Sequence, residues 1–501
     1  MLDRRYHAGV SDHPLPLPAA WAADWAAQPD RAVLRGAFEG FDGDPRRPWH
    51  RAAEMAERTS RAAERLAGLG VVPGARVLWS APTSLDALVA AVAVLRVGAV
   101  MVPLNPAYTE RELAHVVTDV RPALAVVGRP EQATWVQRAA PGTPVTDPAL
   151  AATSLTAPLS ASAPVLDRAR PGDPAMVVYT SGTTGAPKGA VLTHANLAAG
   201  TRAIVGAWGW EPDDRLVLAL PLFHVHGLCA GLFGTLTARA SAVVLERFEA
   251  AAVLEQAAEG TMFFGVPTMY HRLVRQAGVR SLSRLRLCVS GSAPLAPALF
   301  ADIEARAGVT VLERYGMSET LLTVSNPLHG ERRAGTVGFP LPGVETRLVA
   351  RPGGAAELAV RGPSVFAGYW ERPAATAEVL SDGWFRTGDL ASVDDDGYLA
   401  ILGRAGDLIV SGGFNVYPAE VEDVLLGHPG VAEAAVAGLA SAEWGEEVAA
   451  WVVPAAEGLT PAELLGYAAE RLAPYKCPRT IHLVPQLPRN AMGKVLRNEL
   501  R

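Results

Sequence analysis

The feature that most constrains this chain is a short apolar run, Ala175 to Val178, that breaks at once into Tyr179-Thr180-Ser181-Gly182-Thr183-Thr184-Gly185-Ala186-Pro187-Lys188-Gly189. The apolar part predicts a buried strand. The rest holds three glycines, four Ser/Thr hydroxyls and one lysine. Few side chains there would block an anion, so backbone N–H groups and hydroxyls can turn onto phosphate oxygens. The same composition also suits a flexible surface linker. The loop departs from the pattern G-x-x-x-x-G-K-[ST], because Lys188 is followed by Gly189. Phosphate binding here needs another geometry.

A buried strand needs neighbours, and the flanking sequence supplies them. Ala52 to Leu69 predicts an amphipathic helix with Ala53, Ala56, Leu66 and Leu69 on its apolar side, stopped by Gly70. Strands are predicted over 75–80, 100–104 and 123–127, with helices over 85–95 and from Thr109, a capping residue. After the loop, Thr193 caps a helix, and strands follow over 216–220, 242–245, 261–265 and 285–290. Trp21 and Trp25, four apart, suit one face of a short helix. This alternation predicts a mostly parallel α/β layer, with ligands where strands end and loops begin. Past about Gly330 the pattern turns antiparallel. A break at Gly403-Arg404-Ala405-Gly406-Asp407 then precedes a small α+β unit and reads as a hinge.

The chain has 501 residues and a formal net charge of -6, with half its residues hydrophobic. It shows no basic stripe, so nucleic acid is not an expected partner. Cys229, Cys288 and Cys477 are too few and too far apart for a disulfide framework or a zinc site. The run Leu88 to Leu104 is broken by Arg96 and closed by Pro103, so it predicts a helix and a strand rather than a membrane span. With no basic-then-apolar leader, the expectation is a cytoplasmic protein.

Four further segments carry chemistry. Glu313 to Thr320, following a predicted strand over 309–312, sets an aromatic, a tight glycine and a carboxylate side by side. That suits base stacking and Mg²⁺, or equally a turn with a helix cap. Trp384 to Asp389 puts an acid after a glycine at a predicted strand end. Such an acid accepts from ribose hydroxyls or simply forms a turn. Arg404 can join Asp389 on a nucleotide. Lys494 lies in a turn near the C-terminus, where a lysine is ordinarily a solvated charge.

In this order the segments resemble the superfamily of adenylate-forming enzymes: acyl- and aryl-CoA synthetases, peptide-synthetase adenylation domains and firefly-type luciferases. The resemblance runs from about Arg51 to the end. It is carried by Tyr179 to Gly189, Pro221-Leu222-Phe223-His224, Tyr315 to Glu319, Arg386 to Asp389, Gly403-Arg404 to Glu420, and Pro488 to Lys494. It implies a large N-terminal domain over 1–403 made of layered, mostly parallel α/β subdomains and a distorted antiparallel part. A hinge over 404–407 and a small mobile C-terminal α+β domain over 408–501 follow. The reaction implied has two steps. A carboxylate attacks the α-phosphate of ATP, and a thiol, usually that of CoA, then displaces AMP.

The same resemblance assigns residues. It places ATP on Thr180, Ser181, Gly182, Thr183, Thr184, Gly185 and Lys188, on Ser292, Ala293 and Pro294, on Glu313, Arg314, Tyr315 and Ser318, and on Asp389, Arg404 and Lys494. Thr184 and Glu319 would hold Mg²⁺. Lys494, Glu319, Thr184 and His224 would be catalytic, with Lys494 as the main cation. Gly412, Gly413 and Phe414 would line the CoA tunnel once the small domain rotates. The family pivot is usually Asp or Lys, whereas Gly406 stands here. Ser318 stands where the family usually has Thr.

The segments Leu220 to Leu228, Phe264 to Arg272 and Glu313 to Thr320 resemble the malonyl-CoA synthetases, which act on malonate and often methylmalonate. That resemblance implies an acyl pocket of His224, Arg272, Ser290, Gly291 and Met317, with Arg272 on the second carboxylate. A charge-assisted contact suits a short diacid, which offers little apolar surface. Fatty acyl- and aryl-CoA ligases share the other segments and stay open as alternatives, as does transfer to a separate acyl carrier protein.

Overall fold

A computed structural model describes residues 16–36, 49–148, 165–180, 187–351, 356–411, 414–441, 444–489 and 495–500. Two large sheets form its centre. The first has nine strands. From one edge they are Phe339–Pro340, Leu321–Ser325, Leu312–Met317, Leu287–Ser290, Met262–Gly265, Arg215–Leu218, Ser241–Val244, Ala32–Gly36 and His50–Arg51. The run from Leu312–Met317 to Ala32–Gly36 is parallel. The second has seven: Gly368–Tyr369, Lys188–Thr193, Pro174–Thr180, Val100–Pro103, Arg76–Ser80, Leu124–Val127 and Val145–Thr146. Its first two strands are antiparallel to their neighbours and the others parallel.

Strand period two sorts the second sheet's side chains. Val77 and Trp79 point into a core shared with the first sheet, and Leu78 joins a separate cluster with Leu113, Val116 and Val117. Helix Leu85–Val97 lies in the shared core and is buried nearly all round. Ser84 caps it through Ala87 N–H at 3.1 Å, and Gly98, at φ +80°, ends it. Arg96, which interrupts its apolar run, is neutralised by Asp167 at 2.8 Å and held by Thr59 and Ser60 hydroxyls. Trp21 and Trp25 share the buried face of helix Leu17–Ala27, as their spacing predicts.

The antiparallel part is a third sheet. Its order is Glu345–Ala350, Ala356–Arg361, Trp384–Val393 and Leu380–Ser381, with Leu399–Arg404 also on the long strand. The C-terminal unit has a fourth: Phe414–Val416, Ile409–Ser411, Gly445–Pro454 and Val431–Ser441, with Thr480–Leu483 added to Gly445–Pro454. Helices Pro418–Leu426 and Pro461–Ala469 supply the rest of its core. Among the described residues no helix is long and apolar enough to cross a membrane.

Three local expectations need correction. Helix Ala52–Gly68 buries Met55, Thr59, Ala62, Ala63 and Leu66, while Ala53 and Leu69 are exposed. Small alanines on both sides blur the apolar stripe, and Met55 decides it. Glu313 to Met317 does not follow a strand but belongs to one, Leu312–Met317. Asp389 sits inside the ten-residue strand Trp384–Val393, not at its end. Gly388 at φ +72° and a register shift after Leu390 bend that strand without ending it.

Candidate active site

The nucleotide-loop segment is a hairpin. Strands Pro174–Thr180 and Lys188–Thr193 pair with Thr180 opposite Lys188 and Tyr179 opposite Gly189. Gly189 is required by contact, since a Cβ there would lie 2.5 Å from Val177 Cγ1. The tip residues Ser181, Gly182, Thr183, Thr184 and Gly185 lie outside the described residues, as do Gly412, Gly413 and Lys494. The stem is clamped from outside. Tyr179 Oη donates to Asp119 at 2.6 Å, Asp119 also pairs with Arg372 at 2.5 Å, and His115 Nε2 donates to Pro187 O at 3.0 Å.

Strand Leu312–Met317 carries Glu313, Arg314, Tyr315 and Met317 and turns back tightly. A Cβ on Gly316 would lie 2.0 Å from Leu321 O, and Leu321 itself is at φ +57°. Strained backbone at such a turn marks candidate functional sites. The turn presents Ser318 half-buried and Glu319 buried. Glu319 Oε1 accepts from Tyr369 Oη at 3.1 Å, and its carboxyl is shifted upward, chiefly by burial. Lys188 Nζ stands 5.4 Å over the same Tyr369 ring.

Tyr315 Oη donates to Asp389 Oδ2 at 2.5 Å, and Arg404 Nε meets Asp389 Oδ1 at 2.8 Å. The three residues expected on adenine and ribose therefore form one network. Glu357, buried under it, was not anticipated. It accepts from Arg351 at 2.7 Å, from Arg386 at 2.5 Å and from Gly388 N at 3.2 Å, fixing the bend before Asp389. Only the fold brings a glutamate of strand Ala356–Arg361 to this bend.

The facing wall is the loop after strand Leu287–Ser290. Ser290 is buried, and Ser292, Ala293 and Pro294 are exposed, with Ser292 at φ +70°. Leu295 N donates to Glu313 Oε1 at 2.8 Å, tying this loop to the strand carrying Tyr315. Burial pushes the Glu313 carboxyl up to about 8, against that hydrogen bond.

The acyl side is built around a π-helix, His226–Phe233, a form often found at functional sites. His224 and His226 are both held well below the ordinary imidazole range by burial, His224 at about 4. His224 Nε2 and His226 Nε2 are buried without partners among the described residues. Ser292 Oγ lies 3.2 Å from His226 Nδ1. Met317 lies beside Tyr315, with Tyr315 Oη 3.7 Å from its sulfur.

Arg314 is the anomaly. It is 6% exposed, and among the described residues neither its Nε nor its Nη2 has a partner. Burial alone pushes its guanidinium down to about 9. It lies against Gly291, where a Cβ would come within 2.4 Å of Nε, and its charge helps keep His226 neutral. Arg272, the expected carboxylate partner, is exposed on helix Pro267–Leu273 with its guanidinium 5.0 Å over Phe248. Burial is a tertiary property, so periodicity could not separate the two arginines.

Phe414 is 56% exposed and stacks on Tyr475 at 4.7 Å. Gly406 lies in the single turn Ala405–Asp407, where a Cβ would meet open space. Glu319 reaches the loop stem through Tyr369, and among the described residues no cluster of three or more potential metal ligands forms. That donor chemistry fits Mg²⁺, which binds through one or two carboxylates plus substrate phosphates.

Two family models match in tandem: AMP-binding enzyme over residues 21–370 and the AMP-binding enzyme C-terminal domain over 420–494. A malonate–CoA ligase of Arabidopsis thaliana is 37% identical over 87% of this chain and 79% of its own length. A feruloyl-CoA synthase of an Amycolatopsis species is 38% identical over 90% and 93%. The ATP-bound crystal structure of MatB from Rhodopseudomonas palustris superposes with a TM-score of 0.89 at 37% identity, over 97% of this chain and 98% of that one. The chain thus belongs to the AMP-binding, adenylate-forming enzymes and is an AMP-forming acyl-CoA synthetase similar to the malonyl-CoA synthetases.

Proposed function

We propose that this enzyme activates a short dicarboxylic acid, malonate or methylmalonate, and passes it to CoA. The observation that carries the reading is Arg314, a buried guanidinium beside Gly291 whose Nε and Nη2 meet no acceptor among the described residues. A charge withheld from water and left unpaired is costly unless a ligand completes it. The far carboxylate of a malonate-sized acid is such a ligand, and a charge-assisted, bidentate contact would fix its length and orientation. Arg272, which the resemblance assigns to that carboxylate, would add positive charge on the approach. A monocarboxylate chain would leave Arg314 bare.

In the first half-reaction, the near carboxylate attacks the α-phosphorus of ATP and pyrophosphate leaves. Asp389 and Arg404 hold the ribose, and Tyr315 packs on the base. Lys494 offsets the repulsion between carboxylate and phosphate as negative charge builds. Thr184 and Glu319 would hold Mg²⁺, which supplies charge neutralisation on the phosphates when bound. In the second half-reaction, the CoA thiol loses its proton to solvent and attacks the adenylate carbonyl, and AMP leaves with the bonding electrons. Before it, the C-terminal domain turns about 404–407 and brings Gly412, Gly413 and Phe414 to the thiol. Half-buried His224 and buried His226, both held neutral, add no further charge to the acyl side.

Purified enzyme with ATP, Mg²⁺, CoA and malonate is expected to yield AMP and malonyl-CoA in equal amounts, read by mass spectrometry. Production of ADP, or AMP without thioester, would contradict the scheme. A second reading follows from the Amycolatopsis relative, whose name assigns it an aryl acid. It is tested by the same assay with ferulate.

A further inference from the structure

We propose that Tyr369 is a positioning residue that couples the phosphate-loop lysine to the metal-binding carboxylate. The inference rests on the reading of Glu319 as that carboxylate. Tyr369 lies on the two-residue strand Gly368–Tyr369, antiparallel to Lys188–Thr193. Backbone bonds flank it on both sides: Ala367 N to Val191 O at 2.9 Å, and Trp370 N to Gly189 O at 2.7 Å. The segment is also tied to the carboxylate's own backbone, through Phe366 N to Glu319 O at 2.7 Å. Segment 366–370 therefore bridges the loop stem and the turn that presents Glu319.

The side chain repeats the bridge. Its hydroxyl donates to Glu319 Oε1 at 3.1 Å, and its ring carries the Lys188 ammonium 5.4 Å from the centroid. The ring cannot swing freely. Phe366 packs edge-on at 4.9 Å, and Thr376 Oγ1 accepts from Tyr369 N at 2.9 Å. Gly368, at φ +138°, makes room for Thr376, since a Cβ there would lie 2.8 Å from Thr376 Cγ2. The side chain that contacts both Lys188 and Glu319 is thus packed by Phe366 on a backbone held at Thr376. A lysine held by a π face keeps most of its solvent exposure and can transfer to phosphate. A carboxylate oriented by one phenol keeps its second oxygen for the metal.

The contacts of this bridge run to the loop stem and to Glu319, so its loss should follow the β- and γ-phosphates and the metal. The test is calorimetric binding of three ligands, Mg²⁺–ATP, ATP with EDTA, and AMP, to wild type, Tyr369→Phe, Tyr369→Leu and Glu319→Gln. Tyr369→Phe keeps the ring and loses the hydroxyl. It is expected to weaken Mg²⁺–ATP about tenfold, the effect of one hydrogen bond to a charged group, and to leave metal-free ATP and AMP unchanged. Tyr369→Leu is expected to weaken metal-free ATP as well, by roughly two- to fivefold, with AMP still unchanged. In a Glu319→Gln background, Tyr369→Phe should add no metal-dependent loss. The proposal is overturned if Tyr369→Phe binds Mg²⁺–ATP as wild type does, or if it weakens all three ligands alike, as a merely structural residue would. If Glu319→Gln alone leaves the metal dependence intact, the assignment of Glu319 fails first, and that outcome is distinct from both.

Discussion

Replacing Arg314 by methionine should reverse the acid preference of this enzyme. Burial pushes the guanidinium from its ordinary range to about 9. At about 1.4 kcal/mol per pH unit, that corresponds to about 5 kcal/mol of lost solvation. Part of it returns when a carboxylate arrives. A charge-assisted hydrogen bond contributes about 1.5–3 kcal/mol, so losing the contact should lower kcat/KM for malonate roughly 10- to 100-fold, and more if it is bidentate. Methionine fills similar space without charge, so butyrate should be used as well as by wild type or better. The ratio of kcat/KM values then shifts by about one to two orders of magnitude. The same substitution should raise the melting temperature, because an unpaired buried charge is removed. The assay is pyrophosphate release with each acid, alongside a thermal melt. Equal loss for malonate and butyrate would mean that Arg314 supports the fold or the nucleotide. No loss for either would leave the diacid reading without its main support.

Three further outcomes are expected. Lys494→Ala should abolish acid-dependent pyrophosphate exchange yet leave thioester formation from pre-made acyl-adenylate intact; equal loss of both would refute the domain rotation. Glu357→Gln should destabilise the enzyme by about 1–3 kcal/mol in chemical denaturation, because Arg351 and Arg386 lose their shared carboxylate and each is partly solvated. Unchanged stability would show that the bend before Asp389 does not depend on that charge. For Glu313 the folded carboxyl sits at about 8, above its unfolded value. The unfolded chain therefore releases that proton first, and wild-type stability falls as pH rises from about 4.5 to 8. Glu313→Gln removes this term, so its melting temperature relative to wild type should climb over the same window; a constant difference would contradict the assignment.

The parallel layers were legible because their strands are short apolar runs punctuated by caps and glycines, as at Thr109, Thr193 and Gly98. The corrections fall where tertiary contact overrides local pattern. Glu313 to Met317 looks like a loop, with its charges and glycine, but backbone pairing to Leu321–Ser325 makes it strand. Gly388 looks like a terminus, yet Glu357 holds the chain through the bend. The π-helix has no period that distinguishes it from an ordinary apolar helix. The site could be read as a set of segments in order, but the pairing of Tyr315 with Asp389, the bridge through Tyr369 and the bare state of Arg314 all join residues distant in sequence. They arise from sheet register and burial, which no single segment encodes.

The central claim is best tested in one vessel. The enzyme receives ATP, Mg²⁺, CoA and equal concentrations of malonate, methylmalonate, butyrate, octanoate, benzoate and ferulate, and the CoA thioesters are quantified by mass spectrometry at early time. Malonyl- or methylmalonyl-CoA should exceed every monocarboxylate product by at least about tenfold, the value of one charge-assisted contact. Dominance of octanoyl-, benzoyl- or feruloyl-CoA would contradict the account.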